Sequence, residues 1–169
     1  MQKNALILSI LYENIELAKS LLMIENIDIY QEGYLTGTAL CLALLAGDAD
    51  LSQLLIKKEK DGFQPEKHPD LWFCAVSSGS QQCIKLLIQA GLDPNKPSPG
   101  IWRYHPKWVW KVEKEYLNEG LCFPLDEYSY YNNAFGKSPL VYAKENDDSD
   151  MQVFLQTCIS EYNEKKLSL

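Results

Sequence analysis

Histidine is nearly absent from this sequence. His68 and His105 are the only two in 169 residues. Each stands beside a proline, and neither falls in an HExxH or comparable ligand spacing. They read as exposed loop histidines, and no metal centre is expected from them. A Gly-rich phosphate loop behind a strand is also missing, so no nucleotide or other cofactor is expected. No apolar run approaches the roughly 20 residues that cross a bilayer, which argues against a membrane protein. Excess positive charge is lacking too: 16 basic against 23 acidic residues give −7, the wrong sign for nucleic-acid binding. The five cysteines are odd in number. Most lie inside apolar stripes and read as buried, reduced thiols of a cytoplasmic chain. Residues 1–14 hold a short apolar run interrupted by Glu13, without a small-residue cleavage pattern, and read as helix rather than leader.

What the sequence does have is helical periodicity, clearest from Asp70 to Asn95. This stretch reads as an apolar helix, a turn at Gly79, a second helix with Cys83, Leu86 and Leu87 on one stripe, and a Gly-Leu-Asp-Pro-Asn exit. Gly79 and Gly91 stand where a helix ends in a left-handed residue. Two short helices cannot bury their apolar faces alone, so the pair needs neighbours of the same kind.

Those neighbours are present. Asn4-Ala5-Leu6, Thr38-Ala39-Leu40, Asp70-Leu71-Trp72 and Ser138-Pro139-Leu140 align as unit starts separated by 34, 32 and 68 residues. Ser9, Ala43, Ala75 and Ala143 then fall in register. So do Leu17, Leu51, Cys83 and Met151, and Leu21, Leu55, Leu87 and Leu155. Thr38-Ala39-Leu40-Cys41-Leu42-Ala43 and Ser138-Pro139-Leu140-Val141-Tyr142-Ala143, with Gly47, Gly79 and the Gly91–Asn95 exit, make the chain resemble an ankyrin-repeat protein. The resemblance implies an all-α ankyrin-repeat solenoid of stacked helix-turn-helix units, as a single domain. Its units fall at about 4–35, 36–67, 68–95 and 136–165, with a degenerate repeat or an irregular insertion at 96–137. The signature histidine of that family is replaced by Ile7, Cys41, Phe73 and Val141, which implies fingers held differently. Glu13 and Asp147 stand in place of the turn glycine. Lys144, Gln152 and Gln156 mark the last unit as a polar cap.

The gap of 68 residues leaves room for one whole unit, yet the pattern is lost there. Lys96-Pro97-Ser98-Pro99-Gly100 reads as extended, 106–119 as an amphipathic helix, and 121–138 as an aromatic, acidic, turn-rich stretch. Between 102 and 135 lie 10 of the chain's 19 aromatic residues. Residues 96–111 carry a net +4, and residues 113–150 nine acidic side chains and three lysines, a net −6. Aromatics flanked by charge are the composition of interface anchors.

These features favour a binding module over an enzyme. Cys122 and His105 are the sole thiol–imidazole pair to consider, and nothing in the sequence brings them together. The expected contact residues are Trp102, Tyr104, Trp108, Trp110, Asp126, Glu127, Tyr128, Tyr130 and Tyr131. Tyr12, Ser77 and Ser78 join them from the finger and inner-helix positions. The expected partner is another, basic protein, with the chain a monomer or a heterodimer with that partner. Resemblance to bacterial ankyrin-type proteins of this size implies an immunity protein that neutralises a basic toxin. An effector that binds a host protein, and an enzyme built in 96–137, are the alternatives.

Overall fold

A computed structural model describes residues 5–31, 37–100 and 136–168. The regular elements among them are eight α-helices and one 3-10 turn at Pro65–Lys67. The helices are α1 (Ala5–Leu11), α2 (Ile15–Leu22), α3 (Ala39–Leu45), α4 (Ala49–Lys58), α5 (Leu71–Ser78), α6 (Gln81–Gln89), α7 (Pro139–Glu145) and α8 (Ser149–Leu167). They pair as α1/α2, α3/α4, α5/α6 and α7/α8.

Local chemistry sets each pair. The second helix of every pair starts on a side chain that accepts the N–H three residues on, relieving an unpaired donor of the first turn. Asn14, Asp48, Ser80 and Asp148 do this for α2, α4, α6 and α8. The turn between paired helices needs one left-handed residue. It is met by Gly47 and Gly79, both at φ +72°, and by Glu13 and Asp147 at φ +58° and +53°. The two non-glycine turns therefore keep the geometry despite the steric cost of a Cβ there.

The pairs then stack in two layers. The first helices pack as α1–α3–α5–α7 and the second as α2–α4–α6–α8. This explains why α3 and α5 are apolar almost throughout: each is covered by a helix on both sides and by its own partner. Leu40, Leu42, Leu44, Leu51, Leu55, Leu71, Trp72, Ile84 and Leu87 fill the shared core. The outer helices are amphipathic instead, with Cys83, Ile84 and Leu87 buried on α6. The register expected at the first unit is rotated. Leu17 is 45 % exposed, and Ala18 and Leu22 supply the buried face of α2. Among the described residues α2 packs on α1 and, within its own layer, on α4.

The fourth pair sits directly on the third, α7 on α5 and α8 on α6. Asn95 Nδ2 donates to Asn163 Oδ1 (3.0 Å), and Lys166 lies 3.9 Å from Asp93, which ties α8 to the exit of the third pair. Among the described residues no helix pair lies between them. The amphipathic helix expected at 106–119 and the turn-rich 121–135 fall outside the described residues.

Candidate protein-binding surface

The first residues of the second and third units, Thr38 and Asp70, do the work expected of the missing signature histidine, but they do so across units. Thr38 precedes α3, and its Oγ1 lies 2.7 Å from Nδ1 of His68, which belongs to the connection leading into the third unit. His68 Nε2 meets Glu59 Oε1 at 3.0 Å, and Glu59 Oε2 accepts from Tyr30 Oη (3.1 Å) and Gln64 N (2.7 Å). Phe63 stacks on the imidazole at 6.2 Å, and Tyr30 lies tilted against it at 5.5 Å. Burial, followed by the charge of Glu59, pushes the Tyr30 phenol up to about 12.

His68 is therefore not the exposed loop histidine expected from its surroundings. It is 2 % exposed and tied at both ring nitrogens. Hydroxyl, imidazole and carboxylate in a row suggest a nucleophilic triad. With Thr38 at 0 % exposure the hydroxyl is out of any substrate's reach, and the arrangement works as a tie between the second and third units.

Asp70 repeats the device one unit later. It caps α5, accepting from Phe73 N at 3.0 Å, and its other oxygen accepts from Gly136 N (3.0 Å) and from the hydroxyl of Tyr142. That hydroxyl in turn accepts from Lys137 N at 3.3 Å. Burial raises the Asp70 carboxyl above its ordinary range despite these hydrogen bonds, and burial next to Asp70 raises the Tyr142 phenol. Phe73 meets the Tyr142 ring edge-on at 5.4 Å.

The residues just before 101–135 are held at the same place as those just after. Ser98 Oγ accepts from Leu71 N at 3.3 Å. Gly100 lies so close to the chain that a Cβ built on it would stand 1.5 Å from the His68 carbonyl oxygen. Ser98, Gly100 and Gly136 thus all rest on the four residues from His68 to Leu71.

Trp102, Tyr104, Trp108, Trp110, Asp126, Glu127, Tyr128, Tyr130 and Tyr131 lie outside the described residues, as do His105 and Cys122. Tyr12 ends the first inner helix and is 51 % exposed. Ser77 and Ser78 close α5, two units along from Tyr12 at the same kind of turn. Ser78 Oγ donates to Ala75 O (2.7 Å) and accepts from Ser80 N (3.2 Å), so it is committed to the turn. Ser77 Oγ is buried with no hydrogen-bond partner. These serines stand at the opposite end of α5 from Asp70, about 12 Å away at 1.5 Å rise per residue. The structure does not bring them to the footing at His68–Leu71.

Sequence reasoning missed the Asp70–Tyr142–Gly136 knot. The signal was available: Asp70 occupies the unit-start position held by Thr38, and an acid there signals a buried polar partner. Cys41, Cys74, Cys83 and Cys158 are buried and free, and burial pushes the Cys74, Cys83 and Cys158 thiols up, which suppresses the nucleophilic thiolate. Among the described residues no group of His, Cys, Asp and Glu is placed to hold a metal, and no helix is long and apolar enough to cross a membrane.

Two layers of stacked helix pairs, the second tied to the third through Thr38 and the third to the fourth through Asp70, define a helical repeat solenoid. A family model described as ankyrin repeats (three copies) matches residues 6–98, more than half of the chain. The chain belongs to the ankyrin-repeat family, and its repeats make it a protein–protein interaction module. A search of curated proteins finds no match.

Proposed function

We propose that this chain is a non-enzymatic binding solenoid whose contact surface is an insertion, residues 101–135, looped out between the third and fourth helix pairs. The observation that carries this reading is the common footing of Ser98, Gly100 and Gly136 on His68–Leu71. The shared footing of the flanking residues and the direct packing of α7 on α5 support an insertion over a further layer of the stack. Its aromatic density supplies anchors: Trp102, Tyr104, Trp108, Trp110, Tyr128, Tyr130 and Tyr131, with Asp126 and Glu127 between them. Exposed Tyr12 serves as a secondary contact along the turn edge, where the hydroxyls of Ser77 and Ser78 are buried or committed to the turn.

The partner is a basic protein. The net −6 of residues 113–150 steers such a partner, and the tyrosines then bury against it. In its most concrete form the chain is a cytoplasmic immunity-type protein that covers the active surface of a basic toxin as a heterodimer. Affinity capture of the full chain, followed by mass spectrometry, returns one basic protein on this reading. Capture weakens with Trp108→Ala or Tyr130→Ala. Retention of that protein by a chain with all seven anchors replaced by Ala removes the reading.

A further inference from the structure

The outer face of the first two units carries an open surface of its own. α2 and α4 pack side by side and leave an open groove of about 470 Å³ between them. Leu22, Met23 and Leu54 supply its apolar part, and Lys19, Lys57 and Lys58 its rim.

Two features set this groove apart. The first is apolar exposure. Met23 is 84 % and Leu54 42 % exposed, and Ile24 follows directly at 54 %. A helix face turned to water ordinarily carries polar side chains. The second is charge. Three lysines against the single carboxylate of Glu16 give the lining +2 in a chain of −7. Lys19 lies 3.4 Å from Glu16 in an exposed pair of little strength. Lys58 Nζ donates to the Ile24 carbonyl at 2.9 Å, which fixes one end of the groove and leaves its charge unneutralised. Lys57 has no ion-pair partner among the described residues.

We propose that this groove docks an acidic amphipathic helix of a partner protein. A cleft between two side-by-side helices accommodates a third, whose apolar residues at i, i+3 and i+7 lie on Leu22, Met23 and Leu54. Its carboxylates reach the lysines, whose methylene stems extend the apolar floor. All of the residues that line the groove lie between 16 and 58.

The test titrates the isotope-labelled full chain with a synthetic helical peptide of about 18 residues that carries Leu at i, i+3, i+4 and i+7 flanked by Glu. A second peptide has Lys in place of Glu. The Glu peptide shifts backbone amide signals of α2 and α4, saturates, and weakens as salt is raised. The Lys peptide leaves them unmoved. Lys57→Glu weakens the Glu peptide about tenfold or more while the thermal midpoint holds, and Lys57→Arg restores it. No shift in α2 and α4, equal binding of both peptides, or indifference to Lys57→Glu overturns the proposal. So does a concentration-dependent dimer dissolved by Leu54→Asp, which gives the face to a second copy. Binding to phosphatidylserine vesicles that the Glu peptide fails to displace gives it to a membrane surface and overturns it equally.

Discussion

Tyr142→Phe deletes one hydroxyl and tests whether the fourth unit is locked onto the third through Asp70. That hydroxyl donates to a carboxylate at 0 % exposure and accepts from Lys137 N at 3.3 Å. Hydrogen bonds to a charged group contribute about 1.5–3 kcal/mol net, and the orphaned amide adds to the loss. The expected destabilisation is therefore about 2–3 kcal/mol. Asp70→Asn keeps an oxygen for the cap on Phe73 N but turns a donor toward Gly136 N and Tyr142, for a loss of about 2–4 kcal/mol. Because the two side chains share one bond, the double variant falls short of the sum by about 1–2 kcal/mol. Urea unfolding followed by circular dichroism measures all four corners of the cycle. A coupling below about 0.3 kcal/mol refutes the knot. The pH dependence has a definite sign. Burial raises the Asp70 carboxyl above its ordinary 3.8, so the stability it contributes is complete below that value and is lost as pH rises through the raised one. Measured from about pH 3 to pH 7, the wild-type chain loses stability relative to Asp70→Asn.

Three further outcomes follow from the same geometry, and a fourth from the proposed contact surface. Asp147→Gly relieves an exposed left-handed residue at φ +53° and raises stability by about 0.5–1 kcal/mol in urea unfolding. Gly100→Ala sets a methyl 1.5 Å from the His68 carbonyl oxygen, and lowers the thermal midpoint by the equivalent of about 2 kcal/mol or more. His68→Ala removes the imidazole from Thr38 Oγ1 and from Glu59 Oε1 and costs about 3 kcal/mol, whereas exposed Lys144→Ala changes stability by less than about 0.5 kcal/mol. Trp108→Ala and Tyr130→Ala each cost about 2 kcal/mol of affinity for the captured partner in calorimetry, with unfolding unchanged.

The repeat architecture was legible because each helix pair writes the same constraints into sequence. The small residue at Ala43, Ala75 and Ala143, the apolar residue at Leu55, Leu87 and Leu155, and the turn at Gly47 and Gly79 recur in register. Even the substitutions Glu13 and Asp147 hold the left-handed turn that their position implied. The polar ties were not legible, because they join residues far apart in the chain. Thr38 and His68 are 30 positions apart and Asp70 and Tyr142 are 72 apart, and neither pair follows a helical or strand period. His68 misled for the same reason: prolines next to a histidine report a turn, and only the stack decides whether the ring in that turn is covered. The exposed flank of α2 at Leu17 was hidden because its sequence matches Leu51, and only the number of neighbours differs. The groove of α2 and α4 was invisible in one helix at a time, since its lysines come from both.

The most direct test of the account replaces residues 101–135 with a Gly/Ser bridge of about six residues, enough to span the shared footing at up to about 3.3 Å per residue. Shortening a closed loop to that extent lowers its closure entropy cost by about 1–2 kcal/mol. An unfolding free energy equal to that of the full chain or higher by that amount, with helical signal intact and the basic partner no longer captured, is the predicted result. Loss of cooperative unfolding, or a drop of several kcal/mol, would mean that the segment is a layer of the stack and contradict the account.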